Sequence, residues 1–565
     1  MSQKKFQSYH QGQTSLFPLD FDVLIPSNHI SRVINCFVDG LDITLLSKEF
    51  KSNDGAPPFH PRSIMKLLLY GYTTGVFSSR KQEALAKESI PCMWLLGSSF
   101  PDHSTICRFR GKYFKGIMEE VFLQAVLLLI EKGYLKLEDY VVDGTTISAD
   151  SNKYKMVFKK NVERYSGQVR NKVASILEEI YEIEKVENKE EAKKRELPNK
   201  EKINSDQIRK QAAEISENIN NKLSRKSQNK IKTRCKHIKQ KADQLEGYEK
   251  QLEELGDRNS YSKTDTDACL MRMKNEELRP AYNVQASTSD DFIAGISVHQ
   301  NGGDQSCLEE HLQKQKELRE NEEISKALQE QNTKGFQSIT ADGAYGTERN
   351  LDYLEKNEIK ANVKYTGYYK EKTKAFKEDP FKWQNMPYYE DGDYFDCPND
   401  QKLEWVEKVE EVKTGGFKAS YDVYKCKKCG ECPLKDRCTK SNNRTIKVNW
   451  NNQRLRANAK RQVESKDGAD KMRMRGHNIE TVFGHLKHNL NFSRFKLRGL
   501  DKVKVEMYLF AIGYNLMKLK TKIKSDPKND LITIFSSLFH FVRAILTTSQ
   551  YKLSRKHHEY ILCSK

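Results

Sequence analysis

The chain contains no apolar run long enough to cross a bilayer. Its longest, residues 121–130 and the interrupted stretch 531–546, fall short of the roughly 20 residues that a spanning helix needs, so no membrane helix is expected. The opening residues MSQKKFQSYHQGQT lack the apolar core of a secretory signal, which predicts a cytoplasmic protein under reducing conditions. No GxxxxGK[ST] segment occurs, so nothing points to an ATP-driven motor, and the histidines near residue 480 do not form HExxH, which weakens a zinc-hydrolase reading. No internal repeat is evident. Full disorder is also excluded, because 26 Tyr and 25 Phe give the chain ample apolar surface to bury.

What is present is length and positive charge. The 565 residues allow about three to five compact units at ordinary domain size. Charged residues make up 31%, above the roughly 25% of an average globular protein, so some segments should lack a deep core. Lys and Arg total 97 against 78 Asp and Glu, a net charge of +19, which favours a polyanionic partner. Nucleic acid leads, with an anionic membrane surface behind it.

Residues 1–135 read as a helical module. Pro61 suits a first helical turn, an apolar-periodic run follows through Ile64, Leu67, Leu68 and Tyr72, and Gly75 ends it. Ser79 and Gln82 have capping-box spacing, and Asp102 stands at the start of a helix carrying Arg108 and Arg110. Short helices with exposed arginines suggest a helix-turn-helix-like DNA reader, against an ordinary helical bundle. The segment DYVVDGTTI at 139–147 reads as a buried central strand within a first core piece, 136–157. Residues 158–262 are rich in Lys, Glu, Gln and Asn and predict long helices broken near Pro198, either a solvated insertion or an arm for DNA or self-association. The second core piece, 263–365, predicts a hairpin (280–288 and 292–300), a helix (308–318), a strand (336–342), a helix (348–356) and a strand (359–365). Residues 366–461 form a Cys-rich insertion, and 462–525 a third core piece with helices at 478–490 and 505–519. Residues 526–565 read as a helical tail. The order is that of an α/β core with large insertions.

Within this frame a few residues suggest chemistry. Asp143 sits inside an apolar strand, where a carboxylate needs a cation or donor. Asp342 repeats the arrangement at the end of ITAD, followed by small and turn-forming residues that leave room for a ligand. Two strand-borne carboxylates suit Mg²⁺ or Mn²⁺, which prefer oxygen ligands. Glu480, Gly484 and Lys487 fall along one helical stripe, so that an acid, a gap and an ammonium able to reach a phosphate face the same way. Each residue alone has a structural or solvated alternative. His477, His485 and His488 flank Glu480 and are read as contacts to DNA phosphate.

The segments VVDGTTISADSNKY, ITADGAYGTERN and NIETVFGHLKHNLNFSRFKLRGL resemble the three acidic motifs of bacterial insertion-sequence DDE transposases, nearest to the insertion-sequence family numbered eleven-eighty-two. FHPRSIMKLLLYGYTTGVFSSRKQEALAKES, PDHSTICRFR and SKTDTDACLMRMK extend the resemblance over nearly the whole chain. It implies a ribonuclease-H-like catalytic core, metal-dependent cleavage and strand transfer of the protein's own element, and Asp143, Asp342 and Glu480 as the Mg²⁺ (or Mn²⁺) triad with Lys487 as the basic residue after the glutamate. It also implies double-stranded DNA partners (element ends and target), at least a homodimer, and a place on the bacterial nucleoid. Arg108, Arg110, Arg475 and Lys487 are the expected DNA contacts. Relatives often carry Arg four residues before the glutamate; here Gly476 stands there, with Arg473 and Arg475 as possible substitutes. A domesticated, non-catalytic DNA-binding protein and a metal-dependent nuclease without strand transfer are the alternatives.

Cys426, Cys429, Cys432 and Cys438 crowd one short segment, with Cys397 as a possible fifth participant, and suggest structural Zn²⁺ over free thiols. An iron–sulfur cluster fits less well, because Pro433 follows the third cysteine and not the fourth.

Overall fold

The computed structural model describes residues 20–42, 59–187, 203–219, 221–413 and 415–525. The polar opening stretch, Pro198, the apolar stretch 531–546 and the tail 526–565 lie outside the described residues. No helix among the described residues is long and apolar enough to cross a membrane.

Five strands form the centre: β1 (Asp139–Ser148), β2 (Leu278–Ser289), β3 (Phe292–His299), β4 (Ser338–Gly346) and β5 (Lys360–Tyr365). β2 runs antiparallel to β1 and β3 antiparallel to β2, whereas β4 is parallel to β1 and β5 parallel to β4, giving the order β3-β2-β1-β4-β5. A short strand, Cys269–Arg272, pairs with the start of β2. The expected hairpin and the alternating strands are therefore present. Helix Glu322–Glu330, which follows Leu308–Glu320 after Asn321 caps its first turn, was not anticipated.

The N-terminal helices do not form a separate body. Pro61–Thr74 begins at its proline and ends at Gly75 in the left-handed region (φ 80°), as the residues dictate. Asp102 caps its helix by accepting the Thr105 N–H. Gln82, by contrast, is no capping partner: it is buried, and its amide donates to Val76 O. Helix Leu500–Ser525 buries Val503, Val505, Met507, Leu509, Phe510, Ile512 and Leu516, residues on all its sides, because it lies between the N-terminal helices and β3. One continuous apolar core therefore runs from Ile30 through the sheet to Leu519.

Inside that core lies a charged group. Glu506 accepts from Tyr72 Oη (2.5 Å) and from the Lys496 and Leu497 N–H groups, and Arg110 donates to Tyr72 Oη and Phe77 O. Arg110, expected as an exposed DNA contact, is 2% exposed and belongs to this network, because burial of Glu506 calls for a cation nearby. Arg108 is exposed.

A second buried chain joins β3 to helix Leu308–Glu320: Ser297 Oγ bonds both His299 Nε2 (2.6 Å) and His311 Nδ1 (2.7 Å). Burial pulls the His311 imidazole down to about 3, with His299 and Lys314 acting the same way. The unfolded chain thus takes up a proton near pH 6.5 that the folded one refuses. Stability is whole above pH 6.5 and should fall by up to about 1.4 kcal/mol per pH unit below it, down to the folded value. Urea titrations between pH 7.5 and 5 should show this slope reduced in His311→Gln; an equal slope in the variant would discount the histidine.

The first insertion leaves and rejoins the sheet through a two-stranded ribbon, Met156–Phe158 with Ser260–Ser262. Three helices, Lys159–Glu187, Ser205–Glu217 and Arg225–Leu255, pack on their own core. Ile231, Cys235, Ile238, Ala242 and Leu245 alternate at four- and three-residue spacing, a coiled-coil seam, against Val169, Val173, Leu177 and Ile180. The second insertion holds a five-stranded antiparallel sheet that the sequence did not announce. Its strand Lys402–Val412 is exposed at most positions, so it lacks the apolar alternation that marks a half-buried strand. Helical structure resumes at Trp450–Glu464, well before residue 478.

Candidate active site

The parallel register of β1 and β4 pairs Val141 with Thr340. Side chains alternate along a strand, so Asp143 and Asp342, each two residues further on, lie side by side on one face. Residues 199 positions apart in sequence thus come near enough for the Asp342 charge to act on the Asp143 carboxyl. Beyond Ala341 the β4–β5 ladder is irregular until Gly346, and Ala344 N–H donates to Asp342 Oδ1 within this bulge. Gly346 has to be glycine there, since a Cβ would fall 2.2 Å from Lys364 O.

The third carboxylate arrives on an irregular helix. Helix Lys466–Arg475 passes into a π-helical turn, Gly476–Glu480, then one α-turn, Thr481–Gly484, and a second π-helical turn, His485–Asn489. Ile479, Val482, Phe483 and Leu486 are buried, as the expected apolar stripe requires. The expanded turns alter the stripe described for a regular helix. The first π-turn packs on β1 and β2. Arg475 Nη1 stands 3.8 Å from Asp143 Oδ2, and its Nη2 lies 3.4 Å from Glu480 Oε1. A Cβ on Gly476 would lie 3.6 Å from the Glu480 carboxylate. Of the two candidate substitutes, Arg473 is exposed and pairs with Asp470, and Arg475 alone turns to the carboxylates.

Lys487 is brought to β1 as well. Its ammonium donates to Thr145 Oγ1 (2.5 Å) and Thr146 O (3.0 Å). Burial and Lys274 pull it down to about 8, opposed by Asp143. Burial pushes Asp143 up to about 6; the Gly144 N–H and Arg475 oppose the shift, and Asp342 and Asp304 add to it.

Asp304 escaped the sequence reading. It accepts from the Asn283 and Gln285 side-chain amides, and Gln285 in turn accepts from Tyr345 Oη at 2.5 Å. A Cβ at Gly144 would meet Asp304 Oδ1 at 2.3 Å, so the glycine after Asp143 admits this fourth acid. The Gly-Gly-Asp turn after β3 was the available signal. The histidines separate: His477 and His488 are exposed, whereas half-buried His485 stacks on Phe510 and meets Tyr514 edge-on.

Cys397, Cys426, Cys429, Cys432 and Cys438 line one small cavity in the second insertion. The Arg444 N–H donates to Cys429 Sγ, and burial pushes the Cys426 thiol up to about 11. Among the described residues, no three His, Cys, Asp or Glu side chains stand close enough together to hold a metal ion as placed. At the carboxylates the donor chemistry still fits a hard cation: Asp143, Asp342 and Glu480 offer only oxygen, and burial, with the Asp342 and Asp304 charges added, raises the cost of the ionised Asp143.

No curated protein and no solved structure matches the chain. Residues 19–112 match the family model Transposase domain (DUF772), and residues 396–520 match the Transposase DDE domain; the second match includes Glu480 and Lys487 but begins after both strand aspartates. Together, the two matches support an insertion-sequence transposase, and transposase DDE domains generally use divalent metal ions.

Proposed function

We propose that the protein is a DDE transposase that cuts DNA at the ends of its own insertion sequence and joins those ends to target DNA. The observation that carries this reading is the position of Asp143 and Asp342, each two residues beyond the paired Val141 and Thr340 of adjacent parallel strands, with Arg475 linking Asp143 to Glu480. The strand order β3-β2-β1-β4-β5 supports reading the sheet as a ribonuclease-H-like core. Asp143, Asp342 and Glu480 would hold Mg²⁺ or Mn²⁺. When bound, the metal supplies Lewis-acid activation of the attacking oxygen and stabilisation of the leaving one. The chain does the rest by position. Lys487, anchored on the end of β1, offers its ammonium to a phosphate oxygen, and the fixed carboxylates orient the strand for in-line displacement. Exposed Arg108 is offered as a contact to the element end, where charge would fix register on the duplex. Bringing two ends together calls for at least a homodimer.

The test is incubation of the protein with plasmid carrying the gene's flanking sequences, with Mg²⁺ or with EDTA, followed by mapping of cut ends and joined products. Metal-dependent cuts at element ends with joining support the reading. Cuts without joining indicate a nuclease, and binding without cuts a domesticated DNA-binding protein.

For the cysteine cavity we propose structural Zn²⁺, since five cysteines line it in a small sheet with a minimal core of its own and zinc would bind them as thiolates. Purified protein should carry about one zinc per chain by elemental analysis, lost in Cys429→Ser with unfolding of the second insertion; zinc-free, fully folded protein would refute it.

A further inference from the structure

Arg475 occupies the place where a metal ion would have to neutralise charge. Its guanidinium reaches Asp143 with one nitrogen and Glu480 with the other, and its side chain and that of Asp143 are each only 20% exposed. The backbone sets this reach. In a regular helix residue 476 would stand one turn before Glu480, but the π-helical turn Gly476–Glu480 widens the spacing to five residues and brings 475 onto the face of the glutamate. Position 476 itself carries no side chain that would compete for the space beside the Glu480 carboxylate. The other cation at the site, Lys487, is held away on Thr145 and Thr146.

A divalent ion coordinated by these oxygens at about 2.0–2.1 Å has to draw Asp143 and Glu480 inward, into the region the guanidinium now fills. Two cations cannot share that region without strong repulsion. Arginine also cannot shed its proton to make way, so it has to move. We infer that Arg475 is a resident counter-ion: it holds Asp143 and Glu480 in the metal-free protein, yields them to the divalent ion, and is thereby released toward a phosphate of the bound DNA. The inference rests on the transposase reading. It assigns to one residue two opposite effects, weakening metal binding before DNA arrives and assisting the reaction afterwards.

The opposition supplies the test. Free Mn²⁺ would be measured by electron paramagnetic resonance during titration of the full chain without DNA, for wild type, Arg475→Gln, Arg475→Lys and Asp342→Asn. Removing the resident charge should tighten Mn²⁺ binding about 5- to 100-fold in Arg475→Gln, the usual span of coupling between two ligands. Arg475→Lys, whose ammonium cannot bridge both carboxylates, should fall between that variant and wild type. DNA cleavage should nevertheless drop in Arg475→Gln. Structural damage would weaken Mn²⁺ binding, the opposite sign. Binding that Asp342→Asn abolishes but Arg475→Gln leaves unchanged or weaker overturns the counter-ion role alone. Binding indifferent to Asp342→Asn removes the metal reading, and the counter-ion role with it.

Discussion

Asp143→Asn is expected to abolish DNA cleavage while leaving the fold as stable as before or more so. The catalytic half follows from the metal reading: an amide is a poor ligand for a hard cation, and losing several kcal/mol of transition-state stabilisation costs about a thousandfold or more in rate. The stability half follows from the site itself. Burial, together with Asp342 and Asp304, pushes the Asp143 carboxyl up to about 6, so at neutral pH the fold carries an ionised group that is costlier there than in the unfolded chain, and a neutral isostere relieves that cost. Asp342→Asn and Glu480→Gln should share the catalytic loss. Cleavage assays beside thermal melts decide the matter: an Asn variant that melts much earlier would mean that Asp143 holds the fold together and not a metal, whereas full cleavage would end its catalytic assignment.

The second large effect lies in the core and not at the site. Glu506→Ala should destabilise the protein by about 3–5 kcal/mol, because removing the buried carboxylate leaves the Arg110 charge, linked to it through Tyr72, without compensation. Arg110 would be stranded, and Tyr72 and two backbone N–H groups would lose their acceptor. Tyr72→Phe removes the bond to Glu506 and the one accepted from Arg110 and should cost only about 1–3 kcal/mol, leaving the carboxylate its two backbone donors. Denaturant titration of the two variants would show this ranking. A Glu506→Ala protein as stable as wild type would mean that the network contributes nothing.

Much of the sheet was legible because buried strands and amphipathic helices leave periodic patterns. DYVVDGTTI, the hairpin after Pro280 and the helix beginning at Glu348 stand close to where their residues place them. Asp143 and Asp342 could be picked out because a carboxylate in an apolar strand breaks its own pattern. Arg110 could not be judged from its own helix: its burial depends on Glu506, nearly four hundred residues away. Asp304 sits in a turn whose role appears only when Gly144 comes against it. The π-helical turns were equally hidden, since periodicity assumes 3.6 residues per turn and cannot register a single added residue. The Cys-rich segment defeated pattern reading for a simpler reason, because its longest strand is wet along most of its length.

The two-stranded ribbon at the base of the helical insertion bears on how the chain finds its fold. β1 and β2 are neighbours in the sheet yet far apart in sequence, and closing so long a loop carries an entropic cost that slows folding. The intervening helices have a core of their own, and their ends are clasped by Met156–Phe158 and Ser260–Ser262. If that unit assembles first, the chain left to close shrinks to residues 149–155 before the clasp and 263–277 after it, and a distant pairing becomes a far more local one. In kinetic terms the insertion would act as a splint. Its deletion with a short linker should then leave the rate of sheet formation unharmed, whereas melting it in place should slow that rate.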